Sequence, residues 1–100
     1  MKINYTNSAN ASFEDEVEYI FTKWNLIEVE KFINLVEDFT RILSENPYIG
    51  KKSLKRNIRV FVLSKQTTIV YKVKDDLKEI DLVFFWNNKR DLKELEKYLK

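Results

Sequence analysis

The sequence predicts an α+β protein in which an antiparallel sheet packs on a helical hairpin, in the order β-α-α-β-β-β with a short C-terminal helix. Three observations predict it. Residues 13–43 carry two apolar stripes of helical period, and residues 58–86 change to runs of β-branched and aromatic residues. The only proline and the only glycine, Pro47 and Gly50, stand at the change. One hundred residues, 44% hydrophobic and 34% charged, are expected to fold as a single domain, 1–100.

Ile3 and Tyr5 alternate with polar neighbours, as a short first strand requires. Asn7 or Ser8 is expected to cap the first helix, with Ser12 and Asp15 as an alternative capping box. Phe13, Val17, Ile20, Phe21 and Trp24 form its stripe, which places Trp24 in the core. Glu14, Asp15, Glu16 and Glu18 are read as lying in its early turns, near the positive end of the helix dipole. Asn25 interrupts the pattern. Leu26, Val29, Ile33, Val36, Thr40 and Leu43 then recur in steps of three and four, widened by Phe32 and Phe39. Asn46-Pro47 ends the second helix, because the residue before proline is driven out of the helical region. With almost no linker, the two helices form an antiparallel hairpin.

Ile58–Leu63, Thr67–Lys74 and Glu79–Trp86 read as three strands of a meander, with Ser64-Lys65-Gln66 and Asp75-Asp76 as the turns. Strict alternation in the third puts Ile80, Leu82, Phe84 and Trp86 on one face and Asp81, Val83 and Phe85 on the other. Asn87-Asn88 closes the sheet, and Asp91–Lys100, with Leu92, Leu95 and Leu99 on one side, forms the last helix.

What is missing narrows the chemistry. There is no cysteine or histidine, which excludes thiol nucleophiles, thiolate zinc sites and every Ser-His or Cys-His arrangement. One glycine cannot build a phosphate-cradling loop. No metal or cofactor is expected. The longest apolar run, Leu82–Trp86, is far shorter than the roughly 20 residues that span a bilayer. Met1–Tyr5 contains no apolar signal core, so a cytoplasmic location without membrane contact is expected.

The net charge of +2 conceals an uneven distribution. Residues 1–50 hold four basic and nine acidic side chains (−5), residues 51–74 eight and none (+8), and residues 75–100 six and seven (−1). Lys51, Lys52, Lys55, Arg56, Arg59 and Lys65 fall within fifteen residues, with Lys72 and Lys74 beyond. Such a segment is either a solvated loop with lysine-guarded strand edges or a surface for nucleic acid or an acidic protein. Arg59, inside an apolar strand, is either paired with an acid, for which Asp81 is available, or presented to a ligand. A second constellation, Trp86-Asn87-Asn88-Lys89-Arg90, is either core aromatics with a basic cap or a stacking surface beside hydrogen-bond donors. For acid–base chemistry the chain offers only carboxylates, lysine and tyrosine. Arg59, Tyr71, Lys72 and Arg90 are the weak catalytic candidates, and their spacing is not diagnostic.

These residues together resemble the ParE/RelE superfamily of type II toxin–antitoxin toxins, its ParE-like branch in particular. The resemblance covers nearly the whole chain. It rests on Tyr19-Ile20 and Trp24, on Leu43-x-x-Asn46-Pro47-x-x-Gly50, on Ile58-Arg59, Lys65 and Ile69-Val70-Tyr71, and on Ile80-x-Leu82-x-Phe84-Phe85-Trp86 before Asn88-Lys89-Arg90-Asp91. It implies a toxin silenced by a cognate antitoxin in a hetero-oligomer, which reaches operator DNA only through the antitoxin. RelE-like members cleave mRNA on the ribosome with basic residues on the sheet; ParE-like members poison DNA gyrase without a chemical step. Where RelE-like chains carry an arginine before the Leu-Val-Tyr of the central strand, this chain has Thr68. The usual Asn-Arg-Gln-Asp-Pro ending is Asn88-Lys89-Arg90-Asp91-Leu92. A ParE-like gyrase poison is therefore expected; the alternatives are a RelE-like ribosome-dependent endoribonuclease and an antitoxin-binding remnant without toxicity. Lys51, Lys52, Lys55, Arg56, Arg59, Lys65, Trp86, Lys89 and Arg90 are the expected contacts to antitoxin or target.

Overall fold

A computed structural model describes residues 1–100. The chain runs β1 (Lys2–Tyr5), α1 (Asn7–Lys23), α2 (Leu26–Glu45), β2 (Lys51–Lys52), β3 (Ile58–Val62), β4 (Thr67–Lys74), β5 (Glu79–Asn87) and α3 (Leu92–Leu99). The strands form one sheet in the order β1-β5-β4-β3-β2. Strands β3, β4 and β5 are the expected antiparallel meander. The sheet as a whole is mixed, because β1 lies parallel to β5, with Lys2 beside Glu79 and Tyr5 beside Leu82. Parallel pairing needs a long crossover, and the segment from α1 to β4 supplies it. Lys51 and Lys52, read from the sequence as loop, are a two-residue edge strand opposite Val60 and Arg59. No helix is long and apolar enough to cross a membrane.

Helix α1 starts earlier than its sequence suggests. Its cap is Thr6, not Asn7, Ser8 or Ser12: Thr6 Oγ1 accepts from the Ala9 N–H at 3.1 Å. The same hydroxyl reaches the Leu82 and Val83 carbonyls at 2.9 and 3.0 Å, so one residue caps the helix and ties it to β5. With the start at Asn7, Glu14, Asp15, Glu16 and Glu18 lie beyond the first turn, which contains no acid. Ser12 instead bridges layers: its Oγ donates to Ser8 O at 2.7 Å and accepts from the Phe85 N–H at 2.8 Å. Asn25 is the cap of α2, accepting from the Glu28 N–H at 3.0 Å, and this turns the chain between helices.

The hairpin buries Ile20, Val29, Phe32, Val36, Phe39 and Leu43 against Ile69, Tyr71 and Val73 of β4 and Ile80, Leu82 and Phe85 of β5. Phe21 and Trp24, expected in the core, are exposed; α1 ends at Lys23, so Trp24 lies past the packed face and meets Tyr19 edge-on with Lys23 over both rings. On the other face of the sheet, Ile58, Val70 and Trp86 pack under Leu95 of α3.

Strict alternation fails in β5. Val70 pairs with Phe84 but Tyr71 pairs with Leu82, leaving Val83 as an extra residue. After this bulge the faces exchange. Ile80 and Leu82 face the hairpin; Phe85, expected on the opposite face, joins them, and Phe84 and Trp86 turn to the face covered by α3.

Candidate binding surface

Lysine and arginine are abundant in residues 51–74, but the fold does not keep them together. Lys52, Lys55, Arg56 and Arg59 line one cleft of about 350 Å³, with Tyr48, Ser53, Asn57 and Asp75. Lys51 lies beside it on β2. Lys65 sits at the opposite end of the sheet, in the β3–β4 turn, and the exit of β5 brings Lys89 and Arg90 to that same end through Asn88, whose N–H donates to Gln66 O at 2.7 Å. None of the four ion pairs in the molecule uses a cation from residues 51–72.

Arg59 is neither paired with Asp81 nor free. Asp81 is taken by Lys74 at 2.7 Å, one strand further on. Arg59 lies on the opposite face of β3 from Ile58, and its Nη1 donates to Gly50 O at 2.7 Å and Tyr48 O at 3.1 Å while its guanidinium covers the Tyr48 ring at 5.0 Å. Tyr48 in turn donates its hydroxyl to the Asp75 carboxylate, a bond that holds the phenol above its ordinary titration range. Tyr71 completes this fastening. Its hydroxyl accepts from the Gly50 N–H at 2.8 Å and donates to Pro47 O at 2.9 Å, and burial pushes its titration upward. Segment 47–50 is thus pinned from both sides, and the guanidinium edge carrying Nε and Nη2 makes no bond within the molecule. Tyr71 is wholly buried and Lys72 is exposed on the other face of β4.

At the far end, Trp86 is buried under Arg90, whose guanidinium stacks at 4.3 Å and pairs with Glu94 of α3 at 3.0 Å. Thr68, at the position where the resemblance puts an arginine in RelE-like chains, is a fastening residue: it donates to Asn88 Oδ1 at 2.8 Å. Lys55 is held against α3, its ammonium 4.4 Å from the Tyr98 ring and its N–H on Leu99 O.

Sequence reasoning missed Tyr48 and Asp75, which lie outside the basic run, and it missed Glu16. Glu16 is 3% exposed and accepts from Thr67 Oγ1 at 2.5 Å beneath a cleft of about 320 Å³ bordered by Tyr19, Asn87, Lys89 and Arg90. Its spacing was the signal: it falls three residues after Phe13 and four before Ile20, on the packed stripe. Burial raises its titration, against the opposing hydrogen bonds from Thr67 and Asn87. A carboxyl whose folded value is raised stabilises most below its unfolded value, about 4.3, and that stability is lost as pH rises through the folded value. Glu16→Gln should therefore melt higher than the parent at neutral pH, and the difference should close below about pH 4. Melting curves across pH check this; a gap that widens on acidification would contradict it.

The family model described as "ParE toxin of type II toxin-antitoxin system, parDE" matches residues 3–92. Among solved structures, a chain of the "Chromosomal ParDE TA system from P. aeruginosa" is similar with a TM-score of 0.60 and 22% identity, over 87% of this chain and 95% of that one. That likeness is one of fold. A search of curated proteins returns no match.

Proposed function

Because the chain belongs to the ParE toxin family of type II toxin–antitoxin systems, we propose that it is the toxin of such a pair, silenced by a cognate antitoxin, and that it poisons DNA gyrase without catalysis of its own. The observation that carries this reading is that the groups a nuclease would have to gather are either committed to the fold, as the neighbours Arg59 and Tyr71 are, or turned apart, as Lys72 and Arg90 are. Arg59 is fastened to segment 47–50, Tyr71 is buried with its hydroxyl committed, and Lys72 faces the other side of the sheet. Arg90 stands at the far end, stacked on Trp86. General acid–base transfer needs its partners within hydrogen-bond reach of one reacting centre, and these four do not converge on one. Two further features support the reading. The middle of the outer sheet face, at Ile58, Val70 and Trp86, is covered by α3, and Thr68 is spent on Asn88.

Purified protein added to gyrase and relaxed plasmid is expected to suppress supercoiling and to accumulate cleaved DNA. Unchanged supercoiling, with new mRNA ends in a translating extract, would replace this reading by the endoribonuclease.

A further inference from the structure

The cleft above Glu16 joins a carboxyl floor to a cationic mouth. Glu16 is 3% exposed, and burying a carboxyl away from a counter-ion costs stability. Lys89 and Arg90 border the same cleft, yet none of the molecule's ion pairs includes Glu16; Arg90 turns to Glu94 and stacks on Trp86. Thr67 and Asn87 use part of the capacity of the Glu16 carboxyl, which when ionised offers roughly four acceptor positions. At the mouth, Lys23 donates to Tyr19 Oη at 3.2 Å, and its ammonium, with that of Lys89 beside it, holds the phenol below its ordinary titration range. Cations thus gather at the rim without neutralising the acid inside. An acid that costs the fold stability, and that the neighbouring cations leave unpaired, is what a ligand site retains.

We propose that this cleft binds a guanine mononucleotide, with two adjacent N–H donors of the base on the Glu16 carboxylate and the phosphate on Lys89 and Arg90. The edge chemistry selects the base. Guanine presents neighbouring donors at N1 and N2, and a carboxylate presents neighbouring acceptors. Adenine and cytosine set an acceptor beside their amino donor, and uracil flanks its N–H with carbonyls. A guanidinium also carries parallel donors, but free arginine would bring net positive charge past Lys23, Lys89 and Arg90, which attract a phosphate instead. The volume, about 320 Å³, lies at the lower end of the roughly 300–1,000 Å³ that small-molecule sites occupy. Tyr19 adds an aromatic wall. The basic run at Lys52–Arg59 lies at the other end of the sheet, so no continuous cationic track leads a nucleic-acid strand away from this cleft. The inference is independent of the toxin reading, and neither needs the other.

Calorimetric titration of the full chain with guanosine monophosphate tests it, and binding should saturate with a Kd below about 1 mM. Inosine monophosphate, which lacks the N2 donor, should bind at least about tenfold more weakly, as should adenosine monophosphate, guanosine without its phosphate, and free arginine. Glu16→Gln should lose the preference for guanine over adenine while melting no lower than the parent, so that lost binding is distinguished from lost fold. Lys89→Glu should weaken the nucleotide but leave guanosine unchanged, because Lys89 is exposed and its side chain forms no ion pair. A thymidine oligonucleotide with one internal guanosine should bind no more tightly than the mononucleotide. Four results would each overturn the proposal: no saturable binding of guanosine monophosphate, equal binding of its adenosine counterpart, parental affinity in Glu16→Gln, or tighter binding of the oligonucleotide.

Discussion

Replacing Gly50 by alanine is expected to cost about 3 kcal/mol, near the upper end of what overpacking costs. A Cβ at this position would lie 2.6 Å from Tyr71 Oη, 2.8 Å from Tyr71 Cε1 and 2.8 Å from the Val60 carbonyl oxygen. None of the three can withdraw cheaply. The Tyr71 ring is wholly buried and meets Phe39 edge-on, and its hydroxyl is bonded to Pro47 O and Gly50 N. Val60 stands opposite Lys51 in the β2–β3 pairing. For a chain of this size each kcal/mol lowers the melting temperature by about 4–8 °C, so Gly50→Ala should melt more than about 10 °C below the parent. Adding Tyr71→Phe should not rescue it. That change removes the oxygen but leaves Cε1 and the carbonyl, and it strands the Gly50 N–H at a cost of about 1–3 kcal/mol. A melting temperature within a few degrees of the parent would show that segment 47–50 has room to move.

The second large effect separates two adjacent phenylalanines. Phe85 is buried at the centre of the hairpin-facing core, with ring centroids 5.4 Å from Phe13 and 6.5 Å from Phe32. Phe85→Ala should cost about 3–5 kcal/mol, as expected for a fully buried aromatic. Phe84, only partly buried, packs edge-on against Tyr98 of α3 at 4.8 Å. Its truncation should cost about 1–2 kcal/mol, in proportion to the apolar area lost. Chemical denaturation of both variants gives the comparison. If Phe84→Ala proved the more damaging, the bulge at Val83 would be absent and β5 would alternate regularly.

That pair shows where the sequence was legible and where it was not. The helical hairpin and the meander were readable because their apolar periods are long and the changes fall at Asn25, Pro47 and Gly50, residues with a physical reason to interrupt them. The bulge was not readable. Val83, Phe84 and Phe85 are all apolar, so the composition is equally compatible with either face, and only the pairing of Val70 with Phe84 and of Tyr71 with Leu82 distinguishes them. The cap of α1 went to Thr6 because the carbonyls of β5 lie within reach of that hydroxyl, a long-range fact that local spacing does not contain.

The candidate site divides in the same way. The basic run was visible as composition, and Lys52, Lys55, Arg56 and Arg59 do share a cleft. Lys65 does not, because it occupies the turn at the other end of the same pair of strands. Arg59 does not reach Asp81, the acid available to it, because β4 stands between them: in register, Asp81 meets Lys72 of β4, and its ion-pair partner is Lys74, while Arg59 stands on β3. Tyr48 and Asp75, which shape the cleft, carry no sequence signal of their own, since one lies after the proline and the other in a turn.

The parallel pairing of β1 with β5 has a consequence in time. Lys2 finds its neighbour only at Glu79, so β1 cannot be placed until most of the chain exists. On the ribosome, where N-terminal parts emerge first, α1 and α2 can associate early, but their apolar face waits for β4 and β5 to cover it. Closing so long a loop precedes any gain from the contacts it allows, and this slows assembly. The nascent chain therefore keeps its hairpin face uncovered until β4 and β5 have been made.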